Sequence, residues 1–97
     1  MTSWPSYTQK EIEAVTRVLQ SGKVNYWTGS ECRIFESEFS QFCNTKHAIA
    51  LANGTLALDL ALKSLNIGIG DEVIVTSRTF IAPVSAIVNT GATPIFA

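Results

Sequence analysis

The sequence predicts an α/β fold in which parallel strands alternate with helices. Its second half contains three short apolar runs separated by two longer apolar segments of helical length. Such continuous apolar runs are typical of strands covered on both faces, and parallel strands need a crossover helix between them. The predicted order is βαβαβ in three layers, with strands His47–Leu51, Glu72–Thr76 and Thr93–Phe96 and helices Gly54–Leu65 and Thr79–Thr90.

The first 46 residues predict two helices joined by a loop. Thr8 and Glu11 have the spacing of a capping box at the start of the first helix, and Gly22 ends that helix. The loop covers residues 23–29, and a second helix begins near Ser30. Three aromatic residues share one face of this second helix, which we interpret as core packing and not as a cofactor contact: Phe35, Phe39 and Phe42.

Composition and charge exclude several classes of function. The chain has 97 residues, of which 46% are hydrophobic and 15% charged, and its formal net charge is −1. Without a basic cluster, neither nucleic acid nor an anionic membrane surface is a predicted partner. No uncharged apolar stretch reaches the roughly 18 residues that span a bilayer, and the start lacks the pattern of a signal peptide. These features predict a cytoplasmic protein.

The cysteines do not predict a metal site or a disulfide framework. Cys32 and Cys43 lie eleven positions apart, without a Cys-x-x-Cys motif, and His47 is the single histidine of the sequence. The predicted state is therefore two buried or half-buried thiols in a reducing compartment, and no metal ligand is assigned.

A candidate anion site lies at Asn53-Gly54-Thr55, between the first predicted strand and its helix. The first N–H groups of a helix lack intrahelical partners, and the helix dipole leaves partial positive charge there. Gly54 lets the backbone approach an anion closely, and the Thr55 hydroxyl adds a donor. Because many such turns contain glycine for geometry alone, the spacing by itself favours a plain turn over an anion site.

A second candidate feature is the loop Ser77–Phe80, which follows the second predicted strand. Ligands of open α/β sheets bind outside the carboxyl ends of the strands, so this loop and the Gly54 turn are predicted to border one crevice. Phe80 has two interpretations at this position. It is either a packed residue at a helix start or a face on which a flat heteroaromatic ring stacks.

Six segments in this order also carry a family resemblance: Tyr26–Gly29, Lys46–Ala48, Asn53–Leu58, Gly68–Val75, Thr79–Ala82 and Gly91–Pro94. Together they resemble the amino-terminal part of the DegT/DnrJ/EryC1/StrS family, whose members are pyridoxal-phosphate-dependent sugar aminotransferases. The resemblance covers nearly the whole chain. It implies the start of the large domain of the aspartate-aminotransferase-like (type I PLP) fold.

The resemblance also implies roles for three residues. Gly54 and Thr55 would hold the 5′-phosphate of pyridoxal phosphate, and Phe80 would stack on its ring. Both roles agree with the reasoning from the residues, and this agreement favours the anion site over the plain turn. Two positions depart from the family pattern: Asn53, where relatives often have serine, and Ser30, where many have proline.

The activity implied by the resemblance is transfer of an amino group from an amino acid, glutamate being the expected donor, to a nucleotide-linked keto sugar. Such reactions serve cell-surface polysaccharide or amino-sugar biosynthesis. In the family, the lysine that binds the cofactor covalently and the carboxylate at its ring nitrogen lie further downstream. We therefore assign no catalytic residue here and interpret the lysines as solvated charges, one of them paired with Asp59 on a helix: Lys10, Lys23, Lys46 and Lys63.

The sequence ends inside an apolar strand, which predicts a partial domain of a larger aminotransferase and a homo-oligomer. Residues 1–46 would supply helices and a loop, and residues 47–97 the βαβαβ core. The alternative hypothesis is a truncated or degenerate module without activity, which folds as an oligomer and binds a phosphate-bearing ligand. A general βαβ nucleotide-binding module is less favoured, because the Gly-x-Gly-x-x-Gly and P-loop patterns are absent.

Overall fold

The computed structural model describes residues 4–97, which belong to two compact units. The first unit ends at Ala50, and the second unit spans Leu51–Ala97. The first unit contains two helices, α1 (Gln9–Ser21) and α2 (Glu31–Phe42). The second unit contains α3 (Gly54–Ser64), β1 (Glu72–Val75), α4 (Ile81–Thr90) and β2 (Thr93–Phe96).

The capping box predicted for α1 is confirmed. The backbone N–H of Glu11 donates to Thr8 Oγ1 at 3.3 Å, and the backbone N–H of Thr8 donates to Glu11 Oε2 at 2.6 Å. The helix ends at Gly22, whose φ of 67° lies in the left-handed region that glycine enters without steric cost. Short-range chemistry therefore determines both ends of α1.

The capping box makes the stability of α1 depend on pH. Hydrogen bonds from the Thr8 hydroxyl, and then from its backbone N–H, lower the pKa of Glu11 from its usual 4.5. Since the folded state has the lower pKa, this stabilisation is present above pH 4.5 and is lost as the pH falls through the folded-state pKa. In Thr8→Ala we expect the pKa of Glu11 to return towards 4.5, as measured by NMR titration of its side chain.

Thr16→Ala is the matched control for that titration. The Thr16 hydroxyl donates to the Ile12 carbonyl within the same helix and takes no part in the capping box. An equal Glu11 midpoint in wild type and Thr8→Ala would contradict the assigned cause.

The aromatic row of α2 is confirmed as one face, but its predicted burial is wrong. The rings of Phe35 and Phe39 stack with centroids 5.4 Å apart, and Phe42 lies 6.3 Å from Phe39. These side chains nevertheless remain 46–85% exposed. Neither helix of the first unit has a buried residue. A helix face is buried only when another element packs against it. The described part of the first unit does not pack enough apolar surface against the aromatic face of α2 to bury it.

The predicted burial of the thiols is wrong as well. Cys32 and Cys43 are both exposed and form no disulfide bond. Cys32 lies in α2 and Cys43 is the C-cap of that helix, and α2 has no buried residue. Between residues 4 and 97, no group of three or more histidine, cysteine or acidic residues is placed to hold a metal ion. None of the helices in that range is long and apolar enough to cross a membrane.

The second unit confirms the predicted α/β class with parallel strands. Strands β1 and β2 pair in parallel, with Glu72 opposite Thr93 and Val75 opposite Phe96, and α4 forms the crossover between them. Helices α3 and α4 pack against each other. The core is small and consists of five buried side chains, three of them alanines: Val75, Ala82, Ala86, Ile87 and Ala92.

The strand predicted at His47–Leu51 is wrong for the described structure. Only β1 and β2 form a ladder among residues 4–97, so the sheet there has two strands, not three. A strand requires a neighbour that accepts its backbone N–H groups. The N–H of Ala50 instead donates to a side chain, Glu36 Oε1, at 2.8 Å. The apolar composition of this run predicted a strand, but it did not determine which group accepts the backbone N–H groups.

Candidate functional site

The start of α3 is shaped by Asn53. Its backbone is extended, with φ −165° and ψ 169°, and its Oδ1 accepts the N–H of Leu56 at 3.0 Å. The carbonyl of Asn53 accepts the N–H of Ala57 at 3.2 Å. Asn53 is therefore the N-cap of α3. Sequence reasoning did not assign this role, although asparagine immediately before an apolar helix is a recognised N-cap signal.

The cap leaves the backbone N–H groups of Gly54 and Thr55 free. Neither donates to an acceptor among residues 4–97, because Asn53 takes up only the N–H groups of Leu56 and Ala57. A Cβ added to Gly54 would meet nothing within 4 Å, and the Thr55 side chain is exposed. The first turn of α3 contains no acidic residue. Two free donors, one hydroxyl and the positive end of a helix fit a phosphate at this position.

Phe80 lies at the start of α4 as its N-cap residue. Its backbone is extended, with φ −65° and ψ 155°, so the helix begins one residue later, at Ile81. The Phe80 side chain is 74% exposed, whereas Ala82, Ala86 and Ile87 of α4 are buried. The exposure argues against Phe80 as a packed core residue and leaves its ring accessible to a ligand.

The connectivity favours a common location for these two helix starts. Helix α3 ends just before β1 begins, and α4 starts just after β1 ends. Since α3 and α4 also pack together, both starts are expected towards the carboxyl end of β1, the side on which open α/β sheets bind ligands. Gly54, Thr55 and Phe80 all belong to the second unit.

Two acidic residues of this unit, Asp59 and Asp71, differ in their hydrogen bonding. The predicted ion pair between Asp59 and Lys63 does not form within the described residues: Asp59 Oδ1 is buried without a hydrogen-bond partner, and Lys63 is exposed. Asp71 belongs to the turn before β1, where its Oδ2 accepts the N–H of Gly68 at 2.8 Å. All four lysines of the chain are exposed.

Comparison with known proteins identifies the family. The family description that matches is "DegT/DnrJ/EryC1/StrS aminotransferase family", and the match covers residues 5–97. The chain belongs to this family. Membership confirms the resemblance read from the six sequence segments.

Individual family members share sequence and fold with the chain. The dTDP-3-amino-3,4,6-trideoxy-alpha-D-glucose transaminase of Streptomyces venezuelae is 51% identical over 82 residues, which are 84% of this chain and 21% of the relative. A crystal structure of an aminotransferase from Psychrobacter cryohalolentis has 64% identity and a TM-score of 0.92, covering 99% of this chain and 24% of that one. The chain therefore spans about a quarter of the length of the proteins it matches.

One further relative was solved in its PLP form. This sugar aminotransferase from Streptococcus pneumoniae is 38% identical, with a TM-score of 0.83 over 96% of this chain and 23% of that one. This relative thus binds pyridoxal phosphate, and it shares the fold of the part that contains the α3 and α4 starts. In that part, the backbone N–H groups of Gly54 and Thr55 have no acceptor among residues 4–97.

Proposed function

We propose that this chain is the amino-terminal part of an aminotransferase that uses pyridoxal phosphate to transfer an amino group from an amino acid to a nucleotide-linked keto sugar. The match of residues 5–97 to the family is the observation that carries the proposal. Glutamate is the proposed amino donor. A sugar linked to a nucleoside diphosphate is the proposed acceptor, in line with the dTDP-sugar transaminase among the relatives.

The proposed role of the α3 start is to hold the cofactor's phosphate. The N–H groups of Gly54 and Thr55 and the Thr55 hydroxyl are the donors, and the Asn53 cap leaves them free. The helix dipole adds an attraction that does not require a lysine. Because α3 is a regular helix, its donors are already oriented before the phosphate binds, which lowers the entropy cost of binding.

The proposed role of Phe80 is to contact one face of the cofactor ring. An aromatic face that is exposed in the described structure can pack against a flat ring and exclude water from it. When bound, pyridoxal phosphate supplies an electron sink that weakens the bonds at the amino-bearing carbon. We assign binding and orientation of the cofactor to residues of this chain, and we assign proton transfer to groups outside this chain.

We further infer that the lysine that binds the cofactor covalently lies outside these 97 residues. A reactive lysine amine needs burial or a neighbouring cation to lower its pKa. All four lysines here are exposed, and two of them, Lys10 and Lys63, lie on the helices α1 and α3. This supports the assignment of a partial domain.

A homo-oligomer is also part of the proposal. The second unit leaves large apolar side chains exposed on its two strands, including Ile74 at 76% and Phe96 at 57%. Exposed apolar surface and unpaired strand edges in a soluble enzyme are usually covered by further chain or by a partner. A second copy together with the remaining three quarters of an aminotransferase would provide this cover.

The test compares the protein encoded by the complete gene with the 97-residue chain. With pyridoxal phosphate, glutamate and a dTDP-linked keto sugar, the complete protein should form the amino sugar, detected by mass spectrometry. The 97-residue chain should give none. Turnover by that chain would contradict the inference about the lysine. A complete protein that binds phosphate but forms no amino sugar would instead support the non-catalytic module.

A further inference from the structure

The hydrogen bonds between β1 and β2 determine which backbone groups point to the outer edges of the sheet. The N–H of Thr93 donates to the Asp71 carbonyl at 2.9 Å. The N–H of Ala97 donates to the Val75 carbonyl at 3.0 Å. In a parallel pair, alternate residues of a strand bond to the neighbouring strand, and the residues between them point to the other side. Pro94 directly follows Thr93 and therefore belongs to the residues of β2 that point outwards.

The outer edge of β2 is interrupted by this proline. Proline has no backbone N–H, so position 94 offers no donor to a further strand on that side. Within sheets, proline is largely confined to edge strands, where its missing N–H faces away from the ladder. Strand β2 therefore has the chemistry of the last strand of a sheet.

The outer edge of β1 has no such interruption. Since the carbonyl of Val75 points to β2, the backbone groups of Ile74 and Glu72 point away from it. The four residues of β1 include no proline, so each outward-pointing residue offers both a donor and an acceptor. The sheet has only these two strands among residues 4–97, which leaves this edge free to extend the ladder.

The two faces of the sheet also differ. Val75 is buried in a core cluster with Ile87 and Ala92. Because successive side chains of a strand point to opposite faces, Ile74 lies on the face away from this core, and it is 76% exposed. The register places Ile95 opposite Ile74, so the exposed face has apolar side chains on both strands. Parallel sheets are normally covered on both faces.

We propose that the free edge of β1 binds a further parallel strand of the same polypeptide, so that β1 is an interior strand and β2 the last strand of the sheet. This inference rests on the proposed function, in which the chain is the amino-terminal part of a longer aminotransferase. About three quarters of the matched Psychrobacter aminotransferase lies outside the match and offers such a strand. A parallel strand of the same chain arrives through a crossover segment, which would cover the exposed Ile74 face. A strand from a second copy would not require that crossover.

Hydrogen exchange of single amides in the complete protein, followed by NMR, tests this proposal. The N–H of Ile74 should exchange at least about a hundredfold more slowly than the N–H of Phe96, because only the first would be bonded within the extended sheet. Phe96 is the matched comparison, since its N–H points outwards from β2 as that of Ile74 does from β1. Fast exchange at both positions would overturn the proposal.

Two proline substitutions in the complete protein provide a second test. Neither Ile74→Pro nor Phe96→Pro removes a hydrogen bond between β1 and β2. We expect Ile74→Pro to prevent folding or to lower the Tm by at least about 10 °C relative to Ile74→Ala, because it removes a donor from an interior strand. Phe96→Pro should stay within about 3 °C of Phe96→Ala, because its edge has no further strand. The alanine variants account for the lost side chains.

Equal melting temperatures of Ile74→Pro and Ile74→Ala would contradict an interior position of β1. Protection of the Ile74 N–H that disappears when the complete protein is diluted to monomers would assign this edge to a second copy and would overturn the proposal as well. A complete protein that protects Ile74 but forms no amino sugar would contradict the proposed activity and leave the strand assignment standing. A complete gene that encodes only these 97 residues would contradict both.

Discussion

Replacing Thr55 with aspartate is expected to abolish the binding of pyridoxal phosphate. The substitution removes a hydroxyl donor and places a carboxylate among the free N–H groups at the start of α3. Two like charges about 4 Å apart repel by about 4 kcal/mol near a protein surface. We therefore expect the Kd for the cofactor to rise by about a hundredfold or more, as measured by absorbance titration of the complete protein.

The fold should survive this change, because an acidic residue in the first turn of a helix is favourable to the helix dipole. Ser30→Asp is the matched control: it adds the same charge at the start of α2, where the Ser30 side chain forms no cap hydrogen bond. Unchanged cofactor affinity in a folded Thr55→Asp protein would reject the phosphate assignment for Gly54 and Thr55.

Replacing Phe80 with alanine is expected to weaken cofactor binding by roughly 2 kcal/mol, or about thirtyfold in Kd, while leaving thermal stability close to wild type. The cofactor ring would lose both a stacking partner and the apolar surface that covers it. Stability should change little because the Phe80 side chain is 74% exposed and the core of the second unit does not include it. Parallel titration and thermal unfolding of the complete protein measure the two effects separately.

Phe42→Ala provides the comparison for Phe80→Ala. Phe42 is 85% exposed on α2, and its truncation removes a similar ring from a helix that contributes no residue to the proposed site. A Phe80→Ala protein that keeps its cofactor affinity but melts at a clearly lower temperature would favour the packed helix-start interpretation.

Local patterns predicted much of the secondary structure and the candidate site. The Thr8 and Glu11 pair predicted a capping box, Gly22 a helix end, and the Val73 region a strand, and the structure contains all three. The anion-site hypothesis at Gly54 and Thr55 likewise came from a helix start, which is a local feature. These predictions succeed because each depends on hydrogen bonds or dihedral angles within a few residues.

Predictions that depend on distant groups succeeded less often. The apolar run at His47–Leu51 has the composition of a strand, yet its Ala50 N–H bonds to Glu36, a side chain fourteen residues away. Asp59 and Lys63 have the right spacing for an ion pair, yet Asp59 Oδ1 is buried without a partner. Neither outcome follows from spacing, because strand pairing and side-chain burial are decided by which elements pack together.

The sequence by itself determined the capped start and the glycine end of α1, the parallel α/β class, the family and a helix start with the chemistry of a phosphate site. The tertiary structure decided that Phe80 is exposed and that Glu36 bonds Tyr26 and Ala50. The reason is physical. Caps and turns are satisfied within one stretch of chain, whereas exposure and long-range hydrogen bonds exist only once separate segments meet.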